Sequence, residues 1–111
     1  YLNEDDLKFM HLNNMVLFPH SINHYHLTTL SRKELEIDIV NSLNFIRKFN
    51  KNLSDWIACY PYGTFNKKVK EICKKYNAIS GFTTKNETIE LGSDFDVMEL
   101  PRINNDQINN I

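Results

Sequence analysis

His20 and His24, set four residues apart in His20-Ser21-Ile22-Asn23-His24, carry the strongest chemistry in this 111-residue sequence. Two imidazoles at that spacing, just past an apolar run, can grip one divalent ion, and zinc takes His nitrogens at about 2.0–2.1 Å. A catalytic zinc needs roughly three protein ligands and an open position for water or substrate. The chain offers two of them plainly. Three of its 4 histidines, His20, His24 and His26, crowd into this one window, while the remaining one is His11. The metalloprotease pattern H-E-x-x-H is excluded, because Ser21 stands where the glutamate base belongs. His26, offset by two from His24, is expected to sit beside the pair rather than in it. Such a pair also occurs on solvated loops, so the elements around it must decide.

Those elements alternate. Asn3 followed by Glu4, Asp5 and Asp6 reads as a helix cap with acids in the first turn, predicting a short helix to about Asn13. Met15-Val16-Leu17-Phe18 is a continuous apolar run ending at Pro19, the pattern of a parallel strand buried on both faces. Ser31-Arg32-Lys33-Glu34 is a capping box, and Leu35, Ile39, Leu43 and Ile46 keep helical spacing behind it toward Phe49. Trp56-Ile57-Ala58-Cys59-Tyr60 reads as the next strand, closed by the turn Pro61-Tyr62-Gly63. Phe65, Val69, Ile72, Cys73 and Tyr76 mark one face of a further helix, with Lys67, Lys68, Lys70, Lys74 and Lys75 expected on a solvated face. Ala78 to Thr83 is a third strand candidate and Val97 to Leu100 a fourth, separated by a polar loop from Asn86 to Asp96 with Gly92 as a breaker. Residues 104–111 read as a frayed polar tail.

This alternation predicts an α/β fold with a mostly parallel sheet covered by helices, and in such folds the site lies beyond the carboxyl ends of the strands. The histidines follow one predicted strand and Pro61-Tyr62-Gly63 follows the next, so both loops should meet at one mouth.

Composition sets the outer bounds. With 41% hydrophobic and 24% charged residues the chain is an ordinary globular sequence of one core, and a net charge of −1 gives no electrostatic case for nucleic acid. No apolar run approaches the roughly 20 residues of a membrane span. The 2 cysteines, Cys59 and Cys73, are too few for a disulfide framework and are expected to be buried thiols. The sequence opens on Tyr1 rather than Met, which leaves room upstream for a leader and for part of a domain.

Over residues 1–103 the sequence resembles the polysaccharide deacetylase family, carbohydrate esterase family four. The residues that carry the likeness are His20-Ser21-Ile22-Asn23-His24 with Leu27 and Leu30-Ser31, then Tyr60-Pro61-Tyr62-Gly63 with Asn66, then Gly81-Phe82-Thr83-Thr84, then Leu100-Pro101-Arg102-Ile103, four motifs in family order. The resemblance implies part of a distorted (β/α) barrel that binds zinc or another divalent metal and hydrolyses N-acetyl groups on amino sugars of a polysaccharide. It implies His20 and His24 as metal ligands, Tyr60, Pro61 and Tyr62 as pocket wall with a backbone N–H near Tyr62 in the oxyanion hole, and Arg102 as an orienting cation.

The departures matter as well. The family's first motif supplies an aspartate base and an aspartate ligand ahead of the histidines, and nothing before His20 fits it, so the base is expected upstream of Tyr1. Many members carry an arginine where Cys59 stands, and a late Leu-x-His; no histidine follows His26 here. The sequence therefore resembles the carboxyl-terminal part of a deacetylase domain, exported to the cell envelope or beyond if the full protein has a leader. One rival is a catalytically silent carbohydrate-binding or assembly module of the same fold. A second is an unrelated α/β domain whose His cluster binds a metal structurally.

Overall fold

Asn3 caps the first helix as its spacing predicts. In the computed structural model, which describes residues 1–110, its side chain accepts the N–H groups of Asp5 and Asp6 at 2.9 Å, and Asp6 returns the bond to the Asn3 N–H at 2.9 Å. Three otherwise orphaned donors are thus satisfied. The helix, α1 (Glu4–Leu12), buries none of its residues and rests on the core only through Leu7 and Met10.

The next segment departs from expectation. Met15-Val16-Leu17-Phe18 is extended but joins no strand ladder; Met15 and Val16 are 54% and 69% exposed, and Leu17 alone of the four is buried. A strand is a pairing and not a property of one segment, and among the described residues no backbone hydrogen bond joins Val16, Leu17 or Phe18 to another strand.

Ser31 and Glu34 form the predicted capping box of α2 (Arg32–Arg47), with Glu34 N–H on the Ser31 hydroxyl at 3.3 Å and Ser31 N–H on the Glu34 carboxylate at 2.8 Å. Its inner stripe is Leu35, Asp38, Ile39, Ser42, Leu43 and Ile46. Then come β1 (Trp56–Cys59), a 3-10 turn at Pro61–Gly63, α3 (Lys67–Lys75) capped by Asn66, and β2 (Ala78–Phe82). β1 and β2 pair in parallel, with Ala58 opposite Gly81 and Cys59 opposite Phe82. α3 is the crossover between them, as a parallel pair requires.

Among the described residues the sheet has these two strands and is open, part of a distorted (β/α) barrel and not a closed one. Leu35, Ile39 and Leu43 from α2 share one core with Val69, Ile72 and Cys73 from α3 and with Trp56, Ala58, Tyr60 and Met98. Burying one such leucine contributes about 1.5–3 kcal/mol, so α2 is held by its stripe more than by its caps. Burial pushes the Cys73 thiol up to about 12, leaving it an inert apolar filler. No described helix is long and apolar enough to cross a membrane.

The fourth predicted strand is also corrected. Val97–Glu99 is a 3-10 turn because Asp96 caps it, accepting the Met98 N–H at 2.8 Å, and only Leu100 bridges to Phe82. A further 3-10 segment covers Asn105–Asn110, where a frayed tail was expected; Ile111 lies outside the described residues.

The lysine face of α3 is not simply solvated. Lys70 Nζ lies 2.7 Å from both Asp96 and Glu99, Lys75 Nζ lies 2.7 Å from Glu36, and Lys68 donates to the Leu30 carbonyl. The Lys70 ammonium, followed by the Met98 N–H, lowers the Asp96 pKa to about 2. Since folding lowers this pKa, the ionised form favours the folded chain; the contribution is whole above about pH 4 and is lost as pH falls toward 2. Carboxyl-detected NMR should find the Asp96 midpoint near 2, and Lys70→Gln should move it up toward the ordinary aspartate value. An unchanged midpoint in the variant would mean that the lysine is not the cause.

Candidate functional site

Pro19 ends the extended segment, and the loop that follows folds back on itself through two residues in the left-handed region, Ser21 (φ 67°) and His24 (φ 54°). Neither is glycine, so each conformation costs on the order of 1 kcal/mol or more and persists only where its surroundings hold it. Both imidazoles are exposed, and their rings are tilted with centroids 4.8 Å apart. His20 Nδ1 lies 2.6 Å from the Cys59 carbonyl at the end of β1. A carbonyl only accepts, so Nδ1 carries the proton and Nε2 presents a lone pair. His24 Nε2 approaches that same atom at 3.0 Å.

Two bonds of about 2.0–2.1 Å at the tetrahedral angle would leave roughly 3.3 Å between the nitrogens, so from a 3.0 Å span both can reach one ion after a small opening. The carbonyl behind His20 is the usual orienting partner of a metal-binding histidine. No third His, Cys, Asp or Glu completes such a group among the described residues. The residues present therefore fit two positions of a zinc-like ion.

Tyr62 and His26 stand next to the pair. The 3-10 turn after β1 puts Tyr62 at φ 59° and leaves it 57% exposed. Its ring meets His24 edge-on at 4.7 Å and stacks on His26 at 4.1 Å. His26 Nδ1 faces the Thr64 hydroxyl at 3.3 Å and not the other imidazoles.

Tyr60 and Pro61 turn inward instead. Tyr60 is 2% exposed and its hydroxyl donates to the Met98 carbonyl at 2.7 Å. Burial above all, then the nearby Cys73, Asp96 and Glu99, pushes that hydroxyl far above its ordinary value, so it remains a donor. Pro61 is fully buried. The motif around Gly81 is locked to this tyrosine, since a Cβ at Gly81 would overlap both the Tyr60 hydroxyl and the Met98 carbonyl. Gly63 (φ 70°) likewise lies against Thr84, so the second and third motifs interlock.

Arg102 reaches the same strand end, with Nη1 3.2 Å from the Cys59 sulfur. Cys59 is half-buried rather than sealed in the core, while its carbonyl orients His20. Sequence reading did not single out Asp38. It is buried on the inner stripe of α2, and its Oδ2 accepts the Ser21 hydroxyl at 3.0 Å and the Ile22 N–H at 3.4 Å. The available signal was an acid among the apolar positions of an amphipathic helix, which is rarely buried without a partner.

The sequence pattern of the polysaccharide deacetylase family matches residues 2–79. Among solved structures the fold is similar to the Streptococcus pyogenes deacetylase PplD in complex with acetate (TM-score 0.79, 24% identity, 92% of this chain and 44% of that one). It is also similar to IcaB from Ammonifex degensii (TM-score 0.72, 16% identity, 93% of this chain and 48% of that one). At these identities the likeness is one of fold, and the chain spans less than half the length of either. No curated protein matches the chain.

Proposed function

Because the chain belongs to the polysaccharide deacetylase family, we propose that its His20–His24 loop takes part in the metal-dependent removal of N-acetyl groups from amino sugars of a polysaccharide. The observation that carries this reading is the 3.0 Å convergence of the two Nε2 atoms, one of them already bare because Nδ1 is committed to the Cys59 carbonyl. Zinc or a similar divalent ion, when bound, supplies polarisation of the acetyl carbonyl and a water whose pKa falls to about 7.

The rest is the work of the chain itself. His20 holds its proton on Nδ1 and offers Nε2. His24 donates Nε2–H to His20 in the metal-free pair, and offers its own lone pair once that proton sits on Nδ1. Tyr62 is an exposed aromatic wall beside His24, suited to the apolar face of a pyranose or the acetyl methyl. Its N–H is the donor we assign to the developing oxyanion. Tyr60 and Pro61 contribute to the pocket by fixing the turn that carries Tyr62, and Arg102, whose Nη1 lies 3.2 Å from the Cys59 sulfur, is the orienting cation we assign to this strand end. The aspartate base and the remaining ligand come, on this reading, from polypeptide outside these residues; the greater length of PplD and IcaB supports it. Residues 1–103 would be the deacetylase-like portion and 104–111 a polar tail.

A silent carbohydrate-binding module is the second reading, favoured by a groove of about 220 Å³ beside the histidine loop, lined by Ile22, Asn23, Tyr25, Ile37 and Asn41 among others. Zinc titration followed on the imidazole nitrogens in NMR separates the two. His20 and His24 signals should move together, and His20→Ala or His24→Ala should remove the response of the other ring. Movement of one ring alone, or an undiminished response in either variant, would leave the binding module as the better account.

A further inference from the structure

We propose that Asp38, buried in α2, is a positioning residue that holds His24 facing His20 by acting through the hydroxyl of Ser21; this rests on the reading of the two imidazoles as metal ligands. Asp38 is 6% exposed, and a carboxylate is not desolvated cheaply unless hydrogen bonds replace the lost water. The bonds it makes across the fold go to the histidine loop. Oδ2 accepts the Ser21 hydroxyl at 3.0 Å and the Ile22 N–H at 3.4 Å, while the buried Oδ1 has no partner among the described residues.

A hydroxyl has one proton. Once Ser21 gives it to Asp38, only lone pairs remain, and one of them accepts the His24 N–H at 3.1 Å. The carboxylate therefore sets the direction of the relay and strengthens its second bond by polarising the first. The relay also spans the two left-handed residues of the loop, Ser21 and His24, which without such ties would relax to ordinary backbone.

His20 is oriented independently, by the Cys59 carbonyl of β1. The two imidazoles thus hang from different elements, one from the sheet and one from α2. Their separation is set by how α2 packs on the core, and Asp38 transmits that packing to His24.

The test uses the chain itself, with zinc as the probe. Asp38→Ala should weaken zinc binding about 10–100-fold, the usual cost of losing an orienting partner behind a ligand. Asp38→Asn, which keeps an acceptor oxygen in place, should recover most of it. The metal-free readout is the nuclear Overhauser contact between the His20 and His24 rings, whose centroids lie 4.8 Å apart. It should vanish in Asp38→Ala and persist in Asp38→Asn, while the His20 Nδ1–H tautomer stays unchanged in both. Ile39→Val, on the same helix face, controls for lost packing and should alter neither readout.

If Asp38→Ala fails to fold, Ser21→Ala breaks the same relay from the loop side and should show the same losses. Wild-type zinc affinity and an intact ring contact in Asp38→Ala or Ser21→Ala would overturn the proposal. So would equal losses in Asp38→Asn and Asp38→Ala. If the unaltered chain takes up no zinc, the metal reading fails, and the ring contact in the metal-free variants alone decides the role of Asp38.

Discussion

Acetate release from a chitin oligomer by residues 1–111 should stay at background with zinc in excess, and should rise at least about 10²-fold when the same residues are carried in a longer polypeptide that supplies an aspartate pair on a preceding strand. A general base contributes typically about 10²–10⁴-fold, and it must lie within hydrogen-bond reach of the water it deprotonates. On the proposed reading the two imidazoles facing one point would supply ligands and no carboxylate, and no described third group joins them. Asp96 is a poor substitute, because Lys70 and the Met98 N–H engage its carboxylate and hold its pKa near 2. In the longer polypeptide, His20→Ala or His24→Ala should return the rate to background. Equal turnover by the short and long chains would show that the base lies within the residues described here.

Gly81→Ala should destabilise the chain by about 2–4 kcal/mol in a denaturant melt, the sum of overpacking and a disturbed buried hydrogen bond. The added methyl would collide with the Tyr60 hydroxyl and the Met98 carbonyl, which are joined to each other at 2.7 Å. Either the tyrosine shifts and orphans the carbonyl, or β2 moves away from β1. Tyr60→Phe alone should cost about 1 kcal/mol, and in the Gly81→Ala background it should cost less than that or restore stability, because it removes one of the colliding atoms. Strict additivity of the two changes would contradict the clash. For a domain whose total stability is typically about 5–15 kcal/mol, this is a large share.

Features written in local chemistry were legible in the sequence. Asn3 with Asp6 and Ser31 with Glu34 name their helices' first turns, since cap and acid are only three residues apart. Trp56–Cys59 and Ala78–Phe82 were readable as strands from their apolar runs. Met15–Phe18 reads equally well, yet forms no ladder, because pairing depends on a neighbour that the run itself cannot specify. Val97–Leu100 was misread for a different reason: the Asp96 cap bends the chain before a strand can extend. Of the site, the clustering of His20 and His24 was visible as spacing, whereas their 3.0 Å approach depends on two left-handed residues and a carbonyl 39 residues away in sequence. Tyr60 and Tyr62 look alike in the motif, and only the turn at Tyr62 sends one ring into the core and the other to the surface. Asp38 was concealed by its place on an otherwise apolar stripe.

The polar segment that follows β2 is pinned at its base and free at its tip. Thr83 N–H donates to the Leu100 carbonyl and Leu100 N–H to the Gly81 carbonyl, both at 2.8 Å, and the Tyr60–Met98 bond closes the same neck from beneath. At the tip, Leu91 is 97% exposed and a Cβ on Gly92 would meet nothing within 4 Å. Lengthening a loop costs only about 0.6 kcal/mol per doubling once its ends are fixed. Leu91–Gly92 is therefore where this scaffold should accept foreign sequence, such as an epitope, a reporter or a second binding module, with the neck hydrogen bonds left in place.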